Sequence, residues 1–588
     1  MSTFNPLERD LDRRSLLRYG AAGAGALATT GVLAACGGDP EAEAPSEIEA
    51  SGVEGVEQVQ LGEEITEGIQ YPENYVGPRS YVREPFYTGD ATFTVGTKLN
   101  PNDVGDWNTN EFTQWMQEQT GVPITYDVVL NEDADLTRVN AQMTAGDMPD
   151  AYMMIPFTND QVSLYGSQGV FQPLEDLIET YAPALRQVME DYPEWGAALT
   201  ATDGHKYQMA VPNDCYHCRV SPSRAFINQK YLEAVGAEMP QTTEDLREVL
   251  KLFKEQDPSG TGQMIPFSGG GPNDFIDNYI MNSFLYNPGS EGDGGGWLRL
   301  NEGKVEFVAD KDEWREGLRY LRTLSDDGTL DRSAFTMSSD ELLQAGNQGR
   351  LGFVRSYYWG FFADISDEPD ALWRDYVSVP PLEGPNGVRY ANWDWETDRS
   401  RPFVITSKCE NPEVLVQWLD YMFTLEGSLR AANGTTDNWN FAEEGDVGIN
   451  GKQAIWDRET WPAPAGTSLG GLALAYNSND FRLGQVSDPD NPDLEVFLYN
   501  ATTEYEPYQQ PREFYLPSLI FDQTQASRRA DIATSIESHV RQHMASFAIG
   551  ELDINDDAAW EEYVSAFGAM GLPEYLDLHQ QVFDARQG

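Results

Sequence analysis

Several clusters in this chain combine residue types that could do chemistry. Asp257-Pro258-Ser259-Gly260-Thr261-Gly262 puts oxygen-bearing side chains at positions one, three and five of an EF-hand-like calcium loop, with glycine at the turn. The position that should supply a bidentate glutamate is Ser268, and one carboxylate is too little charge for a divalent ion. A metal-free turn is expected, with calcium at Asp257, Ser259 and Thr261 as the weaker alternative. Cys215, His217 and Cys218 in NDCYHCRV could hold zinc, but no second ligand pair stands at metal spacing, since His205 and Cys409 are far away in sequence. A disulfide between Cys215 and Cys218 is the expected state, and no βαβ pattern of a thiol oxidoreductase starts there. His539 and His543 lie four apart but lack the intervening glutamate of a zinc peptidase, so they read as exposed helix residues. No G-x-S-x-G elbow or G-x-x-x-x-G-K phosphate loop occurs, and paired carboxylates are too common in so acidic a chain to argue for glycoside hydrolysis. No catalytic residue is assigned.

The aromatics carry more information. Many of the 14 tryptophans stand in polar, glycine-bearing contexts rather than apolar stripes. Flat rings stack on the C–H faces of sugars, whose hydroxyl rims need donors and acceptors beside them. Trp107 follows the first expected strand, Tyr357-Tyr358-Trp359 follow another, and Trp393-Asp394-Trp395 fall in an extended segment where the two indoles would share one side. Trp107, Tyr216, Tyr358, Trp359, Trp393, Trp395 and Trp439 are the candidate aromatic contacts. Asn108, Asp214, Arg219, Asp274, Asn278 and Asp394 are the candidate polar partners. The alternative for each ring is simple packing under a loop.

These residues must be positioned by a large, acidic, exported body. At 588 residues the chain exceeds one ordinary core, and its formal charge of −57 repels nucleic acid and anionic lipid surfaces alike. Four cysteines are too few for a disulfide framework, so apolar burial must carry the fold. Arg13-Arg14 precede an apolar stretch from Tyr19 to Ala35, the pattern of a twin-arginine signal, and it is too weakly apolar for a permanent span. Leu33-Ala34-Ala35-Cys36 resembles a lipobox, which implies a diacylglycerol anchor on Cys36. From 37 to 78 there is no Lys or Arg while Glu, Gly and Pro abound, so a disordered acidic tether is expected.

Beyond it, Phe93 and Val95 alternate, and Phe112, Trp115 and Met116 fall at helical spacing. Val122 to Val128 alternate again, Leu136, Val139 and Met143 share a face, and 151–155 is an unbroken apolar run. Strand, helix, strand, helix, strand predicts a parallel sheet. A second such region starts at Arg224, with a helix from Thr243 to Gln256 capped by Thr242 and Asp245. Further helices are expected from Pro412 to Gly427, from Gln525 to Phe547 and from Glu574 to Phe583.

Six segments in order resemble the extracellular solute-binding proteins of the LplA/YtcQ group, which serve ABC importers of oligosaccharides. They are AQMTAGDMPDAYMMI, LEDLIETYAPALRQVMEDYPEW, DGHKYQMAVP, INQKYLEAVGAEMPQTTEDLREVLKLFKEQDPSGTG, PFVITSKCENPEVLVQWLDYMFTLEGSLRAANG and YVSAFGAMGLPEYLDLHQQVFD. The resemblance covers nearly the whole mature chain. It implies an α/β, two-lobed, periplasmic-binding-protein-like (type II) fold with the ligand in the cleft between lobes, and chain crossings near 213–220 and 390–404. It also implies non-covalent sugar capture, lobe closure and docking on permease subunits, with no catalysis. The family's acidic pair after the calcium positions is missing here.

The expected organisation is a signal peptide at 1–35, Cys36 and its tether at 36–88, lobe 1 from 89 to 214 and lobe 2 from 215 to 395. A return to lobe 1 at 396–460 and a helical part at 461–588, mainly lobe 2, complete it. The protein is expected as a monomer on the outer face of the membrane, held by its lipid alone. A surface glycosidase or lyase, or a ligand-sensing lipoprotein without import, are the rival readings.

Overall fold

A computed structural model describes residues 58–588, except 131–135, 202, 221–222, 271–274, 291–294, 367, 397, 400–401, 461–462, 471–472 and 588; of 398, 399, 523 and 587 it describes the backbone alone. The export signal, Cys36 and Asp274 fall outside the described residues.

The first lobe is built on strands β1 (Phe93–Lys98), β2 (Ile124–Leu130) and β3 (Ala151–Met153), with β1 central and parallel to both neighbours. The alternation puts Phe93 and Val95 into the core. Gly96 is required where β1 passes β3, because a Cβ there would lie 2.6 Å from the Tyr152 ring. The helix Glu111–Thr120 starts where Asn110 accepts from Phe112 N and stops at Gly121 in the left-handed region, φ 76°. A later strand, β12 (Phe403–Ile405), returns antiparallel on β3, giving the order β12-β3-β1-β2. The helix expected from 412 to 427 is in fact two, Pro412–Tyr421 and Leu425–Asn433. Thr424 breaks it by capping Gly427 N.

The second lobe has a mixed sheet: β5 (Ala225–Asn228), β6 (Ile265–Ser268), β9 (Leu351–Arg355) and β10 (Tyr376–Ser378) in the order β10-β5-β9-β6. Only β6 and β9 are parallel in it. The helix Thr243–Gln256 has the expected capping box and buries Leu246, Val249, Leu250 and Phe253. Three C-terminal helices, Gln523–Ile549, Asp557–Met570 and Leu572–Gln587, add Ile536, Val540, Tyr563 and Phe567 to the same core. Among the described residues no helix is long and apolar enough to cross a membrane.

The lobes have separate apolar cores, and the chain passes between them three times. Val211 belongs to the first core and Val220 to the second; Trp393 belongs to the second and Phe403 to the first. Tyr476 lies in the first and Leu494 in a sub-core of the second. Two of these passages pair as short antiparallel strands, β4 (Pro212–Asn213) with β11 (Asp398–Arg399).

Residues 69 to 83, expected within an acidic tether reaching residue 88, are packed instead. Ile69 and Tyr75 are buried with Leu425, Leu429, Trp439, Trp456 and Phe481 in a small core of their own. Arg79 lies over the Tyr71 and Tyr75 rings, and Arg83 pairs at 2.9 Å with the buried Asp420. Charge averaged over the whole segment hid these few apolar and basic residues, which are enough to dock its C-terminal part.

Candidate ligand-binding cleft

A cavity of about 690 Å³ opens between the two lobes. Its first-lobe wall is the loop Pro156–Asn159 after β3, Trp195 on the short helix Pro193–Ala198, Gln208, and Pro402 before β12. This is the carboxyl end of the sheet, where α/β proteins place ligands. The loop is aimed by Met154, which adopts a left-handed φ of 62°, and is fixed by the reciprocal cap of Thr158 and Gln161 on the next helix. The second-lobe wall is Asp394-Trp395-Glu396 at the return crossing, the segment Arg512–Ser518, and Phe583 and Arg586 of the last helix.

The second-lobe wall is braced from behind. Tyr515 Oη donates to Asp394 Oδ1 at 2.8 Å, and Glu396 N donates to the same oxygen at 3.0 Å. Glu396 accepts from Arg586 at 2.6 Å and from Ser518 N at 2.8 Å, and Arg586 also donates to Ser518 O. Burial pushes the Asp394 carboxyl above its usual range, against the pull of Tyr515 and Arg219. Two donors are left over: the indole N–H groups of Trp195 and Trp395 are buried without a hydrogen-bond partner among the described residues. They belong to opposite walls of one cavity.

Asp394 and Trp395 are thus the expected site residues that the structure brings to the cavity. The two indoles Trp393 and Trp395 do lie side by side, with ring centroids 6.5 Å apart and both against the second core, but of the two only Trp395 lines the cavity. Gln510 takes both backbone groups of Trp393, accepting its N–H at 2.6 Å and donating to its C=O at 2.8 Å, and so holds that residue in the core.

The other aromatics are placed in packing. Trp107, Trp359 and Trp439 are buried, with their indole N–H groups on the carbonyls of Lys98, Tyr376 and Gly434. Tyr358 packs half-buried beside the Trp359 cluster. Asn108 clips β2 by exchanging two hydrogen bonds with the Tyr126 backbone. Asn278 is wholly buried inside the second lobe.

Asp214, Tyr216 and Arg219 are brought together at the hinge instead. Tyr192 donates to Asp214 at 2.6 Å, Tyr216 donates to Glu506 at 2.5 Å, and Arg219 donates to Asp394 O at 2.5 Å. Burial raises the Asp214 carboxyl. Cys215 and Cys218 form a disulfide there. His217 between them is buried, 2.7 Å from Glu495, which also accepts from Arg482 at 3.1 Å. Burial and then Arg482 lower the His217 value, whereas for Glu495 the pull of Arg482 and His217 outweighs burial and holds the carboxyl well below its usual range. A neutral His217 donates from Nε2 to an ionised Glu495, and its Nδ1 is buried without a partner among the described residues.

The donor set of the loop from Asp257 does not fit a divalent ion. Asp257 Oδ1 accepts from Ser259 and Oδ2 from Gly262 N at 2.7 Å, while Ser259 and Thr261 share a hydrogen bond of 2.8 Å. The carbonyl at position seven, Gln263 O, accepts from Arg350 Nε at 3.1 Å, so a guanidinium holds the place a cation would need. Ser268 at position twelve is buried in β6. His539 and His543, expected as exposed, are not: His539 is buried against Tyr563 and Phe567 with Nε2 3.0 Å from Tyr563 O, and the two rings lie 4.0 Å apart. Packing of the Asp557–Met570 helix over them is a tertiary event that their spacing did not signal.

Sequence reasoning missed Trp195, Arg512, Tyr515, Phe583 and Arg586. Trp195 sits two residues after a helix-starting proline in YPEW, a polar context like those that singled out other tryptophans. The rest come from the C-terminal part, whose helical pattern concealed that one end reaches the cleft.

The family of bacterial extracellular solute-binding proteins matches residues 101–428, more than half of the chain. The fructooligosaccharide ABC transporter substrate-binding protein FusA of Streptococcus pneumoniae is 28% identical over 511 residues, 84% of this chain and 90% of that protein. YtcQ of Bacillus subtilis, a polygalacturonan/rhamnogalacturonan-binding protein, is 25% identical over 256 residues, 42% of this chain and 47% of its own. Among solved structures, FusA in complex with kestose superposes with a TM-score of 0.70 at 24% identity, covering 84% of this chain and 99% of that one. A human-milk-oligosaccharide (HMO) binding solute-binding protein from Bifidobacterium longum infantis gives 0.70 at 18% identity, with coverage of 84% and 99%. The fold is therefore that of two-lobed substrate-binding proteins, and the chain belongs to the bacterial extracellular solute-binding protein family.

Proposed function

We propose that this protein captures an oligosaccharide in the interlobe cleft and delivers it, unaltered, to an ABC importer. The observation that carries the reading is the interlobe cavity itself, with Trp195 on the wall from one lobe and Asp394 and Trp395 on the wall from the other. Flat rings stack on the C–H faces of a sugar, and a guest that touches both walls favours their closure over it. The cavity volume, about 690 Å³, suits a short oligosaccharide. The relatives named for fructooligosaccharides and milk oligosaccharides support this ligand class.

Export through the twin-arginine signal, a lipid on Cys36 and action as a monomer beside two permease subunits complete the proposal. Isothermal titration of the mature chain with fructooligosaccharides and milk oligosaccharides tests it, with chromatography of the recovered sugar. Saturable binding and unchanged sugar are expected; shortened products would replace capture by catalysis.

A further inference from the structure

The charges around the same cleft bear on which sugars it can hold, an inference that rests on the capture reading. Five acidic or basic side chains line the cavity: Glu194, Asp394, Glu396, Arg512 and Arg586. Arg586 is committed to Glu396 and to the Ser518 carbonyl, so it has little to offer an anionic guest. Arg512 makes no ion pair among the described residues, but it is exposed and leans over the Trp395 ring at 5.9 Å. Glu194 on the opposite wall is also exposed and offsets it. Deeper in, Asp394 is a carboxylate that burial already disfavours, and a second negative group beside it would add to that cost.

The walls therefore offer uncharged rings and amides, among them Trp195, Trp395, Asn159 and Gln208, and carboxylate acceptors. Hydroxyls suit both kinds of polar group, since each can donate to a carboxylate and accept from an amide. A uronate carboxylate can only accept, so it finds no partner in the wall's carboxylates, and it would enter a wall whose carboxylates outnumber its guanidinium groups. We infer that the cleft selects uncharged oligosaccharides and rejects uronate-bearing chains of the same length, unlike the Bacillus relative named for polygalacturonan.

The mature chain titrated with tri- and tetrasaccharides decides it, using neutral fructo-, galacto- and milk oligosaccharides against oligogalacturonates, at low and high salt. The expected result is at least about ten-fold tighter binding of a neutral sugar, with little salt dependence, because no ion pair forms with it. The exposed Glu194→Gln should narrow that ratio by weakening the repulsion. Equal or tighter binding of oligogalacturonate, growing stronger as salt falls, would overturn the charge selection and leave capture standing. Failure of every sugar to bind a folded sample would overturn both.

Discussion

Trp395 lines the cleft, whereas at the hinge, where Arg219 donates to the carbonyl of the neighbouring Asp394, Arg219, Asp214 and Tyr216 are each tied to a named partner. Both regions draw on aromatic, acidic and arginine side chains from an acidic chain rich in them. Their use differs: the hinge groups tie crossing segments to one another, and the cleft residues line an open cavity. Placement in the fold, rather than residue type, separates the cavity wall from the framework.

The sharpest way to break that comparison is to remove cleft rings. Trp395→Ala should weaken oligosaccharide binding by about a hundred-fold, roughly 3 kcal/mol, through lost stacking, while ligand-free melting shifts little. Trp195→Phe keeps a flat ring and should cost at most about ten-fold. Calorimetry beside thermal melts reads both. A large fall in ligand-free stability with intact affinity would place these rings with the framework.

The hinge should respond in the opposite sense. Glu495→Gln leaves Arg482 without its buried carboxylate and should cost about 3 kcal/mol of stability in denaturant unfolding, with any loss of affinity smaller.

The same cluster sets a pH dependence. The His217 value in the fold lies below its ordinary 6.5, so the unfolded chain takes up the proton first and stability drops as pH falls from 6.5 toward the folded value. Glu495, held low, adds a loss only once pH falls below its ordinary 4.5. His217→Gln should flatten the profile between pH 7 and 5, measured by chemical denaturation at each pH; an unchanged slope would show that His217 titrates normally.

Smaller effects complete the contrast. Trp107→Phe should cost about 1 kcal/mol for the lost bond to Lys98 O and leave affinity unchanged. Calcium at millimolar concentration should not raise the melting temperature, because Arg350 and the internal hydrogen bonds occupy the loop from Asp257; a rise would show that an ion displaces them.

Much of the fold was legible because it rests on local periodicity. Strand and helix positions from Phe93 to Met153, the capped helix at Thr243 and the long helix from Gln523 follow from spacing and caps that the chain carries within a few residues. The mixed order of the second sheet was not legible, since antiparallel insertion of β5 depends on where the chain returns. The site was legible only in part: Asp394 and Trp395 were found by their crossing position, while Trp107 and Trp439 have the same polar flanks and are core.

By itself the sequence determined an acidic, two-lobed α/β binding protein, because amphipathic periods and ordered motifs are written in neighbouring residues. The tertiary structure alone decided which tryptophans line the cavity, that Arg350 closes the loop from Asp257, and that the Arg512–Ser518 segment and the last helix wall the cleft. Those outcomes join residues hundreds of positions apart, and whether a donor is satisfied depends on the neighbour the fold delivers to it.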